Sequence, residues 1–319
     1  MTKIKYIFAL IALLLLLAGC GSQQGEAGTL RYIGFRVYDP VYVAYEMGFF
    51  AQQGVNVEII DLTAGGPTAL QAISSGNAEA GISSVMAIIN ARAQGFPVLA
   101  VSDAQSSIGN TPLAEFFVRA DSGIYTVEDL RGHTIAINLV FSSFHYKWLI
   151  ALEDAGVGED EVDWVILPFY QQELALANGH VDAIGVLQPH TVRPRDNPAL
   201  RTLMTGFDVF GGPRQFTTHV INSVWAEHNP ELAEGFVTAL AYTVEWIEAN
   251  QEAAREIMAR HTGVDARYIE NYYFQPNAMV NMYDAQFWLD YMLNSGHITA
   301  DWLTVYDFAT NHFNRRVGY

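Results

Sequence analysis

The sequence predicts an α/β fold in two similar lobes, on three observations. Short apolar strands alternate with helices of about ten residues from Leu30 to Leu187, the pattern of βαβ units around a mostly parallel sheet. The alternation starts afresh near Glu115. One corner also recurs, Ala72–Ala80 against Ala175–Ala183: a helix stops at glycine, passes a polar residue and re-enters the sheet after an acid. Corners of this kind look alike in many α/β proteins, so the repeat counts only together with the restart.

In chain order, Leu30–Phe35 reads as a strand and Arg36–Pro40 as a loop. Val41–Phe50 is a helix pattern whose end is marked by Gly54. After the strand Val55–Leu62, Thr63–Thr68 leads into a helix through Ser75, closed by Gly76. Ala78–Ile82 and Pro97–Val101 complete four strands, with a helix starting at Ser83-Ser84 between them. The second run has strands at Glu115–Arg119, Thr134–Asn138, Val162–Leu167 and Ala183–Leu187, and helices at Val127–Leu130, Phe144–Ala155 and Gln172–Asn178. The chain then returns to the first lobe near Phe216–Trp225. From Pro230, a residue suited to a first helical turn, it reads as helices at Pro230–Asn250, Gln251–His261, Ala266–Gln275, Ala285–Ser295 and Ala300–Asn311, packed on the first lobe. The first lobe is thus expected at 29–115 and 216–319, the second at 116–215.

Composition narrows the function. Of 319 residues half are hydrophobic and 16% charged, enough for a large core and unlike disorder or coiled coil. Thirty-four acidic residues against 17 basic ones give a formal charge of −17, a surface that repels phosphate backbones, so no nucleic acid is expected. A single cysteine excludes an internal disulfide and a cysteine-cluster zinc site. Mean hydropathy of +0.12 is too low for a multi-span membrane protein.

The front end is different. Lys3 and Lys5 precede the apolar run Ile7–Leu17, shorter than the roughly 20 residues of a spanning helix and right for a signal peptide over 1–19. The run ends in Leu17-Ala18-Gly19-Cys20, which resembles a bacterial lipobox, implying cleavage before Cys20 and lipidation of that cysteine. An ordinary secretory peptide with a chance cysteine is the alternative, and the placing of the chain's only cysteine here argues against it. Residues 20–28 read as a flexible tether. Removing 1–19 takes two lysines, leaving 15 basic and 34 acidic residues and a charge of −19. The expected location is the outer side of the cell membrane, held by lipid.

Several stretches resemble the substrate-binding lipoproteins of ABC importers, in the branch for sulfonates, nitrate, taurine and thiamine-pyrimidine precursors. They are Tyr42–Phe50, Gly76–Gly81, Arg119–Ile124, Val127–Gly132 and Gly179–Ala183, in family order. The resemblance implies a type II periplasmic-binding-protein fold with two crossing strands as hinge, and a monomer that passes a small molecule to a membrane permease. Riboflavin-binding lipoproteins look nearest within the branch. Many relatives carry Glu-Pro and an aromatic where this chain has Gln188-Pro189-His190, so a neutral amide replaces a carboxylate and a cationic ligand is not expected.

In open α/β sheets the ligand sits beyond the carboxyl ends of the strands. Those ends carry Tyr38, Tyr42, Phe141, Phe144, Phe169 and Tyr170, with Thr63, Ser84, Asn138, Ser142, Ser143, Gln171 and Gln188 as neutral donors and acceptors. Only Arg36 and Asp39 are charged there, and they can pair with each other. Phe144 has an equal reading as helix core, and Gly65-Gly66 either make a tight turn or bring backbone N–H groups to a ligand oxygen. The inventory suits a neutral, planar, hydrogen-bonding ring, with riboflavin first, a thiamine-type pyrimidine second and an alkanesulfonate third. No nucleophile elbow, metalloprotease helix or dinucleotide-binding loop occurs. Catalysis, metal and cofactor are therefore not expected, and an enzyme of the same fold using His190 or His219 is the rival.

Overall fold

In the computed structural model, which describes residues 28–63, 65–106 and 112–317, the strands form two five-stranded sheets. The first contains β1 (Gly28–Phe35), β2 (Val55–Thr63), β3 (Ala80–Ser84), β4 (Val98–Ser106) and a late strand, β10 (Gln215–Asn222). The second contains β5 (Ala114–Arg119), β6 (Thr134–Ile137), β7 (Asp163–Ile166), β8 (Ala183–Leu187) and β9 (Leu200–Thr205). Their orders are β2-β1-β3-β10-β4 and β7-β6-β8-β5-β9. Neither sheet is purely parallel. β10 runs antiparallel to β3 and β4, and β5 antiparallel to β8 and β9. These are the first strands laid down after each passage between sheets, where no crossover helix imposes a parallel return. The second sheet's fifth strand, β9, was not read from the sequence.

The helices over the first sheet are α1 (Pro40–Glu46), α2 (Phe49–Gln52), α3 (Gly66–Ser74) and α4 (Val85–Ala93). The single helix expected over Val41–Phe50 is two, because Gly48 adopts φ 70° and breaks the run. β4 continues past Val101 to Ser106, since its polar residues Ser102, Asp103 and Gln105 are buried in the ladder with β10. The second sheet carries α5 (Ser143–Asp154), α6 (Phe169–Ala177), α7 (Val192–Asp196) and α8 (Gly206–Phe210). β3 and β8 are buried along their whole length, as strands covered on both faces are.

The repeated corner is the same structure twice. Gly76 and Gly179 have φ of 74° and 71°. Asn77 N–H donates to the Ala72 carbonyl and His180 N–H to that of Ala175, each at 2.9 Å. The acid that follows accepts from the parallel neighbour of the strand it leads into: Glu79 Oε2 from Arg31 N–H at 2.7 Å, Asp182 Oδ2 from Thr134 N–H at 2.9 Å.

The remaining helices are α9 (Ser223–His228), α10 (Pro230–Ala249), α11 (Gln251–Thr262), α12 (Met282–Asn294) and α13 (Val305–Phe308). α10 packs on α1 and α2, α12 on α4 and β10, and α13 on α4 and β4. Two expected helices fail. Ala266–Gln275 is a single turn at Ala266–Tyr268 followed by extended chain, in which Tyr272 and Phe274 are buried while Tyr273 faces out. That period of two belongs to a strand-like segment, not a helix. Ala300–Asn311 is helical only in α13, and Ala309 bridges to Ala100 of β4.

Candidate functional site

Beyond the carboxyl ends of the strands, a cavity lies between the two sheets. Phe35, Gly66, Pro67, Ser84 and Thr217 line it from the first lobe, and Asn138, Ser142, Ser143, Phe169 and Leu187 from the second. The space left is about 20 Å³, room for about one water. Four helices begin at its walls: α3 at Gly66, α4 behind its cap Ser84, α5 behind its cap Ser142, and α6 at Phe169. Their amide ends give the cavity a positive polarity although no ionisable side chain lines it.

The loop before α5 is built around its cap. Ser142 Oγ donates to Asn138 Oδ1 at 2.8 Å and accepts from His145 N–H at 3.3 Å. Phe141 is left-handed, φ 62°, a costly conformation for a phenylalanine. Its N–H donates to His145 Nδ1 at 3.3 Å, and its ring is 51% exposed, next in sequence to the lining residue Ser142. Burial lowers the His145 pKa, favouring the neutral ring that this acceptor role requires. Tyr170, 66% exposed, receives a hydrogen bond from Gln171 Nε2 at 3.1 Å on the same lobe. Phe144 is buried against Phe116 and Phe169, the core alternative.

The lobes touch at Gly65. A Cβ there would stand 2.7 Å from Asn138 Nδ2 and 3.2 Å from Leu139 Cδ1, so a larger residue has to push those two side chains aside in the closed approach. A Cβ on Gly66 would run into Ser83, 3.0 Å from its Cα. Both glycines thus serve close packing at the mouth of α3. Gly65→Ala is expected to cost the closed arrangement about 1–3 kcal/mol, a loss of roughly tenfold in ligand affinity with an unchanged melting temperature of the free protein; calorimetric titration and thermal melting check it.

Of the expected site residues, Gly66, Ser84, Asn138, Ser142, Ser143 and Phe169 line the cavity, and Gly65, Phe141, Tyr170 and Gln171 stand beside or outside it. Thr63 ends β2 opposite Phe35. Three residues instead belong to the core of the first lobe. Tyr38 is buried and stacks on Tyr272 with centroids 3.6 Å apart, and Tyr42 stacks on His261 at 4.6 Å. Asp39, fully buried, accepts from Tyr32 Oη at 2.5 Å, from Val41 N–H at 2.9 Å and from His219 Nε2 at 3.0 Å. The Arg36–Asp39 pair that the sequence allowed is not made, because these three donors hold the carboxylate. Arg36 contributes its backbone carbonyl, which accepts from His190 Nε2 across the lobes at 3.1 Å.

Gln188 is buried and its amide acts across the lobes too, donating to Glu270 Oε2 at 2.7 Å and to the Pro112 carbonyl at 3.2 Å. Glu270, in the extended segment after α11, also accepts from Arg195 Nη1 at 2.9 Å. Arg195 grips Glu115 with Nε and Nη2. Burial raises the Glu115 pKa above its ordinary value even beside that cation. This Arg195–Glu115–Glu270–Gln188 cluster escaped the sequence reading, because its members lie up to 155 residues apart, Glu115 to Glu270.

Comparison with known proteins agrees with this architecture. The chain is 28% identical to the riboflavin-binding protein RibY of Chloroflexus aurantiacus over 66% of its own length and 58% of that protein's. It is 24% identical to a putative aliphatic sulfonates-binding protein of Bacillus subtilis over 84% of this chain and 81% of that one. Among solved structures, the periplasmic aliphatic sulphonate-binding protein SsuA from Escherichia coli superposes with a TM-score of 0.69 at 20% identity, covering 89% and 91% of the two chains, which identifies the two-lobe binding-protein fold. The model of the family described as NMT1/THI5 like matches residues 37–254, more than half of the chain. This protein is accordingly a member of the NMT1/THI5-like family.

Proposed function

We propose that this protein is a monomeric, lipid-anchored solute receptor of an ABC importer, working outside the cell membrane, that closes its lobes on riboflavin and hands it to a permease. The anchor rests on Cys20 and the tether after it, which lie outside the described residues. The reading draws on the named relatives, and one observation carries it to this ligand: a cavity with four helix starts and no ionisable lining side chain, lined by Phe35 and Phe169, with the exposed rings of Phe141 and Tyr170 next in sequence to lining residues. The carbonyl oxygens of a flavin's pyrimidine edge suit the amide ends. Its ring system suits Phe141, Phe169 and Tyr170, and its ribityl hydroxyls suit Ser84, Ser142 and Ser143. A cavity with room for about one water admits such a ring only when the lobes part, and closure then follows from tighter binding to the closed form. Capture and delivery need no catalysis.

An alkanesulfonate is the second reading, favoured by the same helix starts, which suit three anionic oxygens. It leaves the exposed aromatic rings without a role, and a thiamine-type pyrimidine fills fewer of them than a flavin does. Titration decides among the three. Riboflavin fluorescence is expected to be quenched on binding, and Tyr170→Ala to weaken it by about 1–3 kcal/mol. Unquenched flavin together with thermal stabilisation by an alkanesulfonate would move the assignment to the sulfonate.

A further inference from the structure

Past the leader the chain has one lysine. Lys3 and Lys5 lie at the front, and Lys147 is the third and last, every other basic residue apart from histidine being arginine. This lysine is fully buried on α5, one turn beyond Ser143, and its Nζ has no hydrogen-bond partner among the described residues. Phenyl rings surround it instead: Phe216 at 3.6 Å, Phe144 at 4.7 Å and Phe210 at 5.7 Å to the centroids. The rings come from three places. Phe144 belongs to the second lobe, Phe216 to β10 of the first sheet, and Phe210 to α8 in the passage between them. The cage is therefore complete only while α5 rests against the first lobe, as it does on α4.

An ammonium in such a cage has lost its water and gained no carboxylate, which is the costly way to bury a charge. No charged neighbour pairs with it among the described residues. On α4, Arg92 donates to the Phe96 carbonyl. Asp208 of α8 caps Thr205, and Arg214 in the passage pairs with Asp284 of α12. His219 of β10 turns to Asp39. On α5 itself His145 meets Glu159 and Glu153 meets Tyr291, while Glu161 in the turn packed on α5 holds Arg131. Burial alone pushes the amine's pKa well below its ordinary value, with no charged group contributing.

We propose that Lys147 couples lobe closure to the release of one proton, the amine being neutral in the phenylalanine cage and protonated when the lobes part and water reaches it. The step is an acid dissociation, the ammonium giving its proton to solvent. It rests on the reading of the protein as a two-lobe receptor that opens and closes. Between the closed-form and open-form pKa values closure is then favoured roughly tenfold for each unit of rising pH. A methionine of similar length would close without regard to pH. The lysine makes the grip loosen as the medium acidifies.

Two experiments test this. A Gly65→Cys, Asn138→Cys pair joins the lobes where a Cβ on residue 65 would reach the Asn138 side chain, with no ligand needed. In the chain from Cys20 onward carrying 13Cε-lysine, Lys147 is the one lysine, its resonance is the one missing from Lys147→Met, and an ordinary amine titrates near about 10.4. The Lys147 signal is expected to titrate at least one pH unit lower in the oxidised, locked pair than in the reduced one. Equal titration in both, or a locked amine near 10.4, overturns the proposal. In the second experiment riboflavin affinity is measured from pH 6 to pH 10. Wild type is expected to bind tighter as pH rises and Lys147→Met to be flat over the same range. Parallel profiles overturn the coupling while leaving the receptor reading intact. Absence of riboflavin binding at every pH removes the vitamin as ligand and leaves the locked pair to decide the proton release.

Discussion

Replacing Asp39 by alanine is expected to lower the unfolding free energy by about 3–5 kcal/mol, because it strands buried partners rather than one surface bond. Tyr32, Asp39 and His219 are all fully buried, and Tyr32 Oη, the Val41 amide and His219 Nε2 converge on the one carboxylate. His219 Nδ1 already lacks a partner, so the imidazole would lose its remaining bond. α1 would lose its cap as well, worth about 1 kcal/mol. Urea unfolding of Asp39→Ala and Asp39→Asn measures this. Asparagine keeps the shape and one acceptor and is expected to fall between alanine and wild type. A loss below 1 kcal/mol for alanine would show that the cluster is not a determinant of the first lobe.

The second large effect concerns Arg195. Arg195→Leu is expected to cost about 3 kcal/mol at pH 7, since it leaves the buried Glu115 carboxylate without its cation and frees Glu270 from one of its donors. The pH dependence follows from the direction of the Glu115 shift. Its folded pKa already stands above the ordinary value, so the charged form is the disfavoured one in the fold, and removing the cation raises that pKa further. As pH falls through this raised value the carboxyl takes up a proton and the penalty fades. The deficit against wild type should therefore be largest at neutral pH and narrow toward pH 5, as parallel denaturation curves would reveal. A deficit that widens on acidification would contradict the assignment of the cost to Glu115.

Local rules carried much of the architecture. Apolar runs bounded by glycine placed β1, β3 and β8 to within two residues, and the hydroxyl-rich start of α4 was legible because capping is a local interaction. The failures share a cause. β9 has a polar, half-exposed pattern without a clear alternation, and the stretch after α11 was read as helix because the pocket receiving Tyr272 is made by Tyr38, more than two hundred residues earlier. The same holds at the site. Serines at helix starts were found, whereas Tyr38, Asp39 and Tyr42 were expected at the cleft because a loop after a strand usually faces it. His219 and His261 draw Asp39 and Tyr42 inward, and nothing near residue 40 announces either histidine. Lys147 did carry a signal, as the lone lysine after residue 5 among 14 arginines, and it went unused.

β10 lies between β3 and β4 in the first sheet, yet it is made only after the whole second lobe. A chain threaded outward from its amino terminus exposes β3 and β4 with the slot between them unfilled until residue 215 has emerged. The first lobe is thus the earlier to be synthesised and the later to be completed, while the second closes its sheet from one continuous stretch, residues 114–205. Unpaired strand edges are sites for wrong partners. During folding the half-made first lobe is therefore the part that a helper must shield, and a stop anywhere before β10 yields a fragment with an open sheet rather than a small working domain.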